Sequence, residues 1–445
     1  MVKSKNEDRL SSLPEEVLSH ILSLMPTKFA VRSCILSKRW KQIWMMVTDL
    51  DFNDFQYISD LEWYLKFVDR TLELCKISQV KLFRLRFARY VMPKSSVSKW
   101  IDKAVRLNVC ELEVNVQQFD LPLSLFTCKT LTKLKIIGSN NVWQDFIFPS
   151  LVMLPSLKTL DFIVNRKASV NAFRLINGCP MLESLSLVIN DYNDKEEVYC
   201  NFNIPTLKRL QLTTSGYRSI YKVVLNVPNL EYLGVSGDLC ALFVIEDLSS
   251  LVEATVSFSR GELRFNHLNA TELLKGISGA KSISWSIPYL DVVLQSPLPK
   301  FPNLKHLELK GSFGSPWLLV FQHLDSSSQL QHLSFQEPEG SCWIEPQSVP
   351  SWMLTNLRTL KITRCKGRNC VLRFIEYMLG NAEVLKNLTI TCESLLMRDE
   401  MRLCARLLTF PRTSRFCQIH FAGKWLNSLL IIQKYGVEIR SRKRP

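Results

Sequence analysis

One short phrase returns along most of the chain: an apolar residue, two others, an apolar residue, one other and a third apolar residue, usually with Pro or Cys just upstream. The clearest copies are CKTLTKLKI, LPSLKTLDF, CPMLESLSL, IPTLKRLQL, VPNLEYLGV, FPNLKHLEL and LTNLRTLKI. The first apolar position falls at Leu131, Leu157, Leu182, Leu207, Leu230, Leu304 and Leu357, with degenerate copies at Leu82, Val109, Leu251, Ala280, Leu330 and Leu385. That makes 13 copies at spacings of 21 to 29 residues. Within LKTLDF, Leu160 and Phe162 alternate with solvent-side positions as a half-buried strand requires, and Leu157 enters the core from the turn before. A single unit of this kind cannot bury its apolar face, so the copies must stack.

The phrase and its period are those of leucine-rich repeats, in which each copy places a short strand on the concave face of a solenoid. The stretches between copies, such as NAFRLINGCP with Phe173, Leu175 and Ile176, suit convex-side helices, this one stopped by Gly178 and Pro180. The expected fold class is therefore α/β, a solenoid of about 13 irregular repeats. The Asn or Cys common after the third apolar residue is mostly missing, so the turn after each strand is made otherwise. Small and aromatic residues in LVEATV and AKSISW predict a kink or a broader loop around Leu251 and Ala280.

Composition narrows the function classes. The 56 Lys+Arg against 41 Asp+Glu leave +15, which favours acidic partners at long range. The start MVKSKNEDRL carries no secretory pattern and no 18-residue apolar run occurs, so the expectation is a soluble, intracellular chain that binds no membrane. Thirteen cysteines, an odd number in mostly apolar company, read as reduced core residues; the sequons at Asn269 and Asn387 then carry no glycan. The basic run Arg440 to Pro445 is a solvated tail or a weak nuclear address, leaving localisation cytoplasmic, nuclear or both.

The opening LSSLPEEVLSHILSLMPTKFAVRSCILSKRWKQIW reads as three short helices. Ser12 and Glu15 form a capping-box pattern, Pro14 lies in the first turn and Pro26 ends the helix. Thr27 caps a second helix through Ala30, Val31, Cys34 and Ile35, and Ser37 a third with Trp40, Ile43 and Trp44 on one face. Val17, Leu18, Ile21, Leu22, Leu24 and Met25 cover too broad an arc for one buried face. The surplus either caps the first repeat or receives a partner.

This opening resembles an F-box, in the plant form SLP-E-VL-HILS-MPTK-AVR---LSKRW--IW. Leu13 and Pro14, Ile21 and Leu22, Pro26 and Thr27, and the run Leu36 to Trp40 match; Phe29 departs from the polar residue common there. From about Pro350 to Phe421 the chain is similar to the FBD module that ends many plant F-box/leucine-rich-repeat proteins. The resemblance implies a disordered stretch over 1–8, an F-box over 9–50, a solenoid over 51–345, an FBD over 346–421 that continues the array, and a C-terminal segment over 422–445. It also implies a non-catalytic substrate receptor of an SCF-type ubiquitin ligase. The F-box would dock on a Skp1-like adaptor, and through it a cullin, while the repeats hold a target protein. The adaptor-facing residues so implied are Leu10, Leu13, Pro14, Val17, Leu18, Ile21, Leu22, Pro26, Leu36 and Trp40, some of which must belong to the F-box's own core. A ligand-sensing co-receptor and a non-ligase scaffold are the alternatives.

No catalytic, cofactor or metal site is expected. GSFGSP at Gly311 to Pro316 lacks a phosphate-loop ending, Cys365 and Cys370 have no second pair at zinc spacing, and the six histidines are scattered, with His306 and His332 in strand phrases. Lys158, Lys208, Lys305, Arg358 and Lys386 each follow the first apolar residue of a copy. They form either a solvated face or a basic stripe for an acidic protein target or a phosphorylated small molecule. Nucleic acid is not expected, because aromatic residues are not interleaved with the basic ones.

Overall fold

The computed structural model describes residues 10, 12–53, 60–87, 89–117, 119–138, 149–165, 169–190, 197–215, 220–237, 241–258, 267–286, 299–310, 324, 327–337, 343–393, 395–425, 427–433 and 436–441. Residues 1–8, the Gly311 to Pro316 cluster and the end of the basic tail lie outside them. The chain divides into two units, Met1–Asp191 and Tyr192–Pro445.

The first unit opens with α1 (Glu15–Ser23), α2 (Thr27–Arg32) and α3 (Lys38–Ile43). Pro14 stands immediately before α1 and accepts from the Leu18 amide at 3.1 Å, one position earlier than the sequence places it. The proline ring cannot donate there, and a first-turn donor has no intrahelical partner to lose. Pro26 likewise takes the cap position of α2, which makes Thr27 the first helical residue. The Thr27 hydroxyl is used elsewhere: its Oγ1 accepts from the Asp51 amide at 2.7 Å and ties α2 to β1 (Asp49–Asn53). Ser37 caps α3 as expected, accepting from the Trp40 amide at 3.4 Å.

From β1 onward this unit is a parallel ladder of β2 (Leu82–Phe87), β3 (Glu111–Val116), β4 (Lys133–Gly138), β5 (Thr159–Asn165) and β6 (Ser184–Asn190). Inward rungs run Leu50, Phe83, Leu112, Leu134, Leu160, Leu185, all essentially without exposed surface. Two features depart from the sequence reading. The apolar residue that opens the first copy is the buried Val80, not Leu82, which begins β2 and is half-buried. Strand β1 precedes that copy, and its equivalent opening residue is Val47. The convex side carries α4 (Leu61–Leu74), α5 (Lys94–Arg106) and α6 (Ser169–Asn177). Asp60 caps α4, and Asp69 on α4 accepts from the Trp100 indole of α5 at 2.9 Å, satisfying a donor that is otherwise buried.

In the second unit the ladder consists of β8 (Arg209–Ser215), β10 (Tyr232–Gly237), β12 (Glu253–Phe258), β13 (Ser282–Ser286), β14 (His306–Lys310), β15 (His332–Gln336), β16 (Thr359–Thr363), β17 (Asn387–Thr391) and β18 (Gln418–Ala422), all parallel. Where a kink or a broader loop is expected near Leu251 and Ala280, the strands keep their register, with Tyr232, Glu253, Ser282 and His306 paired without a break; the connecting residues 259–266 and 287–298 lie outside the described residues. The irregularity sits on the other side. There β7 (Glu197–Asn203), β9 (Ile220–Asn226) and β11 (Ala241–Asp247) form a second parallel sheet in the order β7-β9-β11, against which α7 (His267–Gly276) packs. Sequences such as VYCNFN and YKVVLN are rich in β-branched and aromatic residues, which favour strands over helices.

The array closes with α8 (Ser351–Thr355), α9 (Asn369–Asn381), α10 (Met397–Thr409) and an antiparallel turn of the sheet through β19 (Asn427–Gln433) and β20 (Gly436–Ser441). Phe374 of α9 packs edge-on against Phe335 at 5.2 Å and Trp343 at 4.9 Å. Two buried carboxylates fasten loops here. Glu400 accepts from the amides of Lys424 at 2.9 Å and Trp425 at 3.1 Å, and Glu337 accepts from the Lys366 amide with Arg368 alongside at 3.8 Å. Hydrogen bonds to backbone donors and a nearby guanidinium are what make such burial tolerable.

Candidate functional site

The three N-terminal helices separate their apolar residues into two sets. Leu18, Leu22, Ala30, Trp40, Ile43, Trp44 and Val47 make a closed core, covered by half-buried Leu13, Met25, Val31, Cys34, Met45 and Leu74 of α4. On α1, Leu18, Leu22 and Met25 follow helical spacing on the inner side, and Pro14, Val17, Ile21 and Leu24 follow it on the outer side. Of the ten residues implied as adaptor-facing, Leu18, Leu22 and Trp40 therefore belong to the core, with at most 3 % of their surface exposed. Leu10, Pro14, Val17 and Leu36 are exposed; Leu13, Ile21 and Pro26 are half-buried.

Sequence reasoning omitted the two most exposed members of this surface, Leu24 at 75 % and Ile35 at 81 %. Their signal was present: Leu24 lies seven residues beyond Val17, and Ile35 sits next to Leu36 in the tight turn between α2 and α3. Burying a Leu or Ile side chain contributes about 1.5–3 kcal/mol, so this outer set is a substantial reserve for association. Arg39 holds the entry to α1 in place, its Nη2 donating to the Leu13 carbonyl at 2.6 Å and its Nε facing Glu15 at 3.9 Å.

The outward strand faces form the second candidate surface, and they differ between units. In the first unit, register aligns Asp51, Arg84, Glu113, Lys135 and Asp161 in one row of alternating sign. Arg84 bridges Glu113 at 2.9 Å and Asp51 at 3.6 Å, and Asp51 also takes Arg86 at 2.5 Å. Burial pushes the Asp161 carboxyl upward, against the pull of Lys135 and Lys133.

In the second unit, the corresponding row is Gln211, Gly234, Thr255, Ser284, Glu308, Ser334, Lys361, Thr389 and His420. One row nearer the strand starts, His306 and His332 are register partners whose rings stack at 4.2 Å, and His332 Nδ1 shares a 2.6 Å hydrogen bond with Thr359 Oγ1. Burial lowers both imidazoles; the charge of Lys305 adds to this at His306, and those of His306 and Arg358 add at His332. The basic stripe is divided, and Lys208 in the second unit is not free. Lys158 is paired with Glu183 at 3.2 Å in the first unit, whereas Lys305, Arg358 and Lys386 form no ion pair among the described residues.

Among the described residues no group of three His, Cys, Asp or Glu side chains suits a metal ion, and no helix is long and apolar enough to cross a membrane. The described cysteines are free thiols; Cys365 is fully buried, and Cys370 is half-buried at the start of α9.

Comparisons with known proteins match three segments. Residues 10–50 match the F-box domain model, residues 97–246 the model of LRR repeats described for the FBD-associated F-box protein At5g56370, and residues 345–390 the FBD model. The chain is 30 % identical to the F-box/FBD/LRR-repeat protein At1g78750 of Arabidopsis thaliana, over 94 % of this chain and 96 % of that one. It is also 30 % identical to the F-box/FBD/LRR-repeat protein At4g26340 of the same plant, over 93 % of this chain and all of that one. It is 29 % identical to F-box/LRR-repeat protein 13, again of Arabidopsis thaliana, over 93 % and 96 %.

Proposed function

The chain belongs to the plant F-box/FBD/LRR-repeat family, and on that premise we propose that it is a target-recognition subunit of an SCF-type ubiquitin ligase. F-box domains generally bind Skp1-type adaptors, and F-box proteins with leucine-rich repeats generally act as non-catalytic substrate receptors in such ligases. The observation that carries the reading here is the division of α1. Its inner residues complete a closed core, so Val17, Ile21 and Leu24 on the outer side, with Ile35 and Leu36 on the following turn, are left for a partner. The adaptor, and through it a cullin, covers them; the outward strand faces hold the target.

The mechanism is proximity. Fixing a target lysine near a ubiquitin-charged enzyme carried on the cullin raises its effective concentration, and no side chain of this chain needs to touch the reacting atoms. Cytoplasm, nucleus or both is the proposed location. The test is affinity purification of the full chain from plant extract in high salt with the proteasome inhibited. A Skp1-type protein and a cullin co-purify with the wild type and are lost when residues 1–50 are removed. Undiminished recovery of the adaptor with the truncated chain would refute the reading.

A further inference from the structure

Immediately before β13 to β17, at the starts of the strands, stands a row rich in cations that form no ion pair among the described residues. Backbone hydrogen bonds link Lys281, Lys305, Gln331, Arg358 and Lys386 one rung to the next, each amide donating to the preceding carbonyl at 2.8 or 2.9 Å. Because these residues stand side by side immediately before successive parallel strands, Lys281 and Lys386 are four rungs, about 19 Å, apart. Lys281, Arg358 and Lys386 are exposed, Lys305 is half-buried, and Lys361 adds a further exposed cation one row deeper. Glu253 at the start of β12 borders the Lys281 end. The nearest acid within the patch, Glu308, is already engaged by Lys310 at 2.9 Å and Ser284 at 2.9 Å. Burial alone would raise the Glu308 carboxyl; those hydrogen bonds and the charges of Lys310 and Lys361 bring it below its usual range, so it stays ionised and occupied.

The row's shape selects its occupant. A single phosphate could engage two neighbouring cations but not a line of this length. An extended chain advances about 3.3 Å per residue, so roughly six residues lie along the row, with alternate side chains facing it. The stacked His306 and His332 rings, with the Thr359 and Asn387 side chains in the same row, offer hydrogen-bonding groups beside those cations that an uncharged apolar segment would leave unsatisfied.

We infer that the rim formed by Lys305, Arg358 and Lys386, with Lys361 and the His306–His332 pair beside it, binds an extended Asp/Glu-rich segment of the target protein. This deepens the receptor reading and rests on it for calling the occupant a target. The binding itself needs no adaptor, so its failure and the failure of adaptor docking are separate results.

The test measures fluorescence anisotropy of a labelled Glu-Ser-Glu-Ser-Glu-Ser-Glu peptide with the full chain at low salt. The triple substitution Lys305→Gln, Arg358→Gln, Lys386→Gln is expected to weaken binding about tenfold, the sum of three screened charge contacts. The matched triple Lys133→Gln, Lys135→Gln, Lys158→Gln removes the same charge from the first unit and leaves affinity within about twofold, as expected if the local contacts and not net charge decide. Far-ultraviolet circular dichroism confirms that both variants fold. Equal weakening by the two triples would show attraction to overall charge and overturn the proposal. So would absence of binding by the wild type, displacement of the peptide by millimolar inorganic phosphate at matched ionic strength, or a charge-matched oligonucleotide that competes equally with both triples.

Discussion

The outward strand faces of the two units share one geometry and have opposite chemistry. In the first unit the middle row alternates Asp51, Arg84, Glu113, Lys135 and Asp161, with Arg84 bridging its acidic neighbours on both sides. In the second unit hydroxyls and amides dominate that row, and among the described residues the rim cations Lys305, Arg358 and Lys386 form no ion pair. A ladder whose charges satisfy one another is rigid and has little electrostatic attraction left for a partner; an unpaired rim keeps its attraction at the cost of mutual repulsion. The same backbone repeat thus yields a self-contained wall and a receptive one, and only the outward residue of each rung decides which.

The largest effect should come from what the two faces have in common. Leu160 and Leu388 are inward rungs with no exposed surface, one in each unit, so Leu160→Ala and Leu388→Ala should each destabilise by about 2–5 kcal/mol in denaturant melts. A cost below 1 kcal/mol in one unit would break the premise of a shared core rung. The next effect separates the faces. Arg84→Met strips partners from Glu113 and Asp51 and should cost about 1–3 kcal/mol, whereas Lys361→Met in the second unit should change stability by no more than about 0.5 kcal/mol. Similar losses for both would contradict a self-satisfied wall facing an open one.

Smaller effects lie in pH. His306 and His332 have imidazoles lowered from 6.5, so the folded state resists their protonation. Their contribution is present above pH 6.5 and is lost as pH falls through the lowered values. Thermal melts should show this decline in the wild type and a flatter profile in the double substitution His306→Asn, His332→Asn. Asp161 has the opposite sign: with its carboxyl raised by burial, its contribution is greatest below 3.8 and is lost as pH rises through the raised value. Asp161→Asn should therefore raise the melting temperature at pH 7, with the gain vanishing at pH 3.

The fold was legible where apolar spacing repeats. Every phrase from Val109 to Leu385 is followed two residues later by a strand, because the residue opening each turn and the two inward strand residues are all buried. The edges were less legible. Val80 was passed over for Leu82 since both are apolar and only pairing with β3 decides the register. Strand β1 is hidden by its own acids, Asp49 and Asp51: the Asp51 carboxylate is compensated by Arg84 and Arg86 from distant sequence, and the Asp49 carboxylate accepts from the neighbouring Thr48 hydroxyl. The β7-β9-β11 sheet was missed because its strands fall between copies of the phrase, where helices were expected. At the F-box the apolar residues could not be divided between core and surface from sequence. Leu18 and Val17 are neighbours in sequence, and only the packing of Trp40 and Trp44 against α1 settles which one turns inward.

In the proposed reading the outer side of α1 is an interface and the inner side a core. Isothermal titration of the purified full chain with a Skp1-type adaptor tests it most directly, comparing wild type with Val17→Glu, Leu24→Glu. This double variant is expected to keep the wild-type melting temperature within about 3 °C, as exposed positions should, and to lose at least tenfold in adaptor affinity. Wild-type affinity in that folded variant would contradict it.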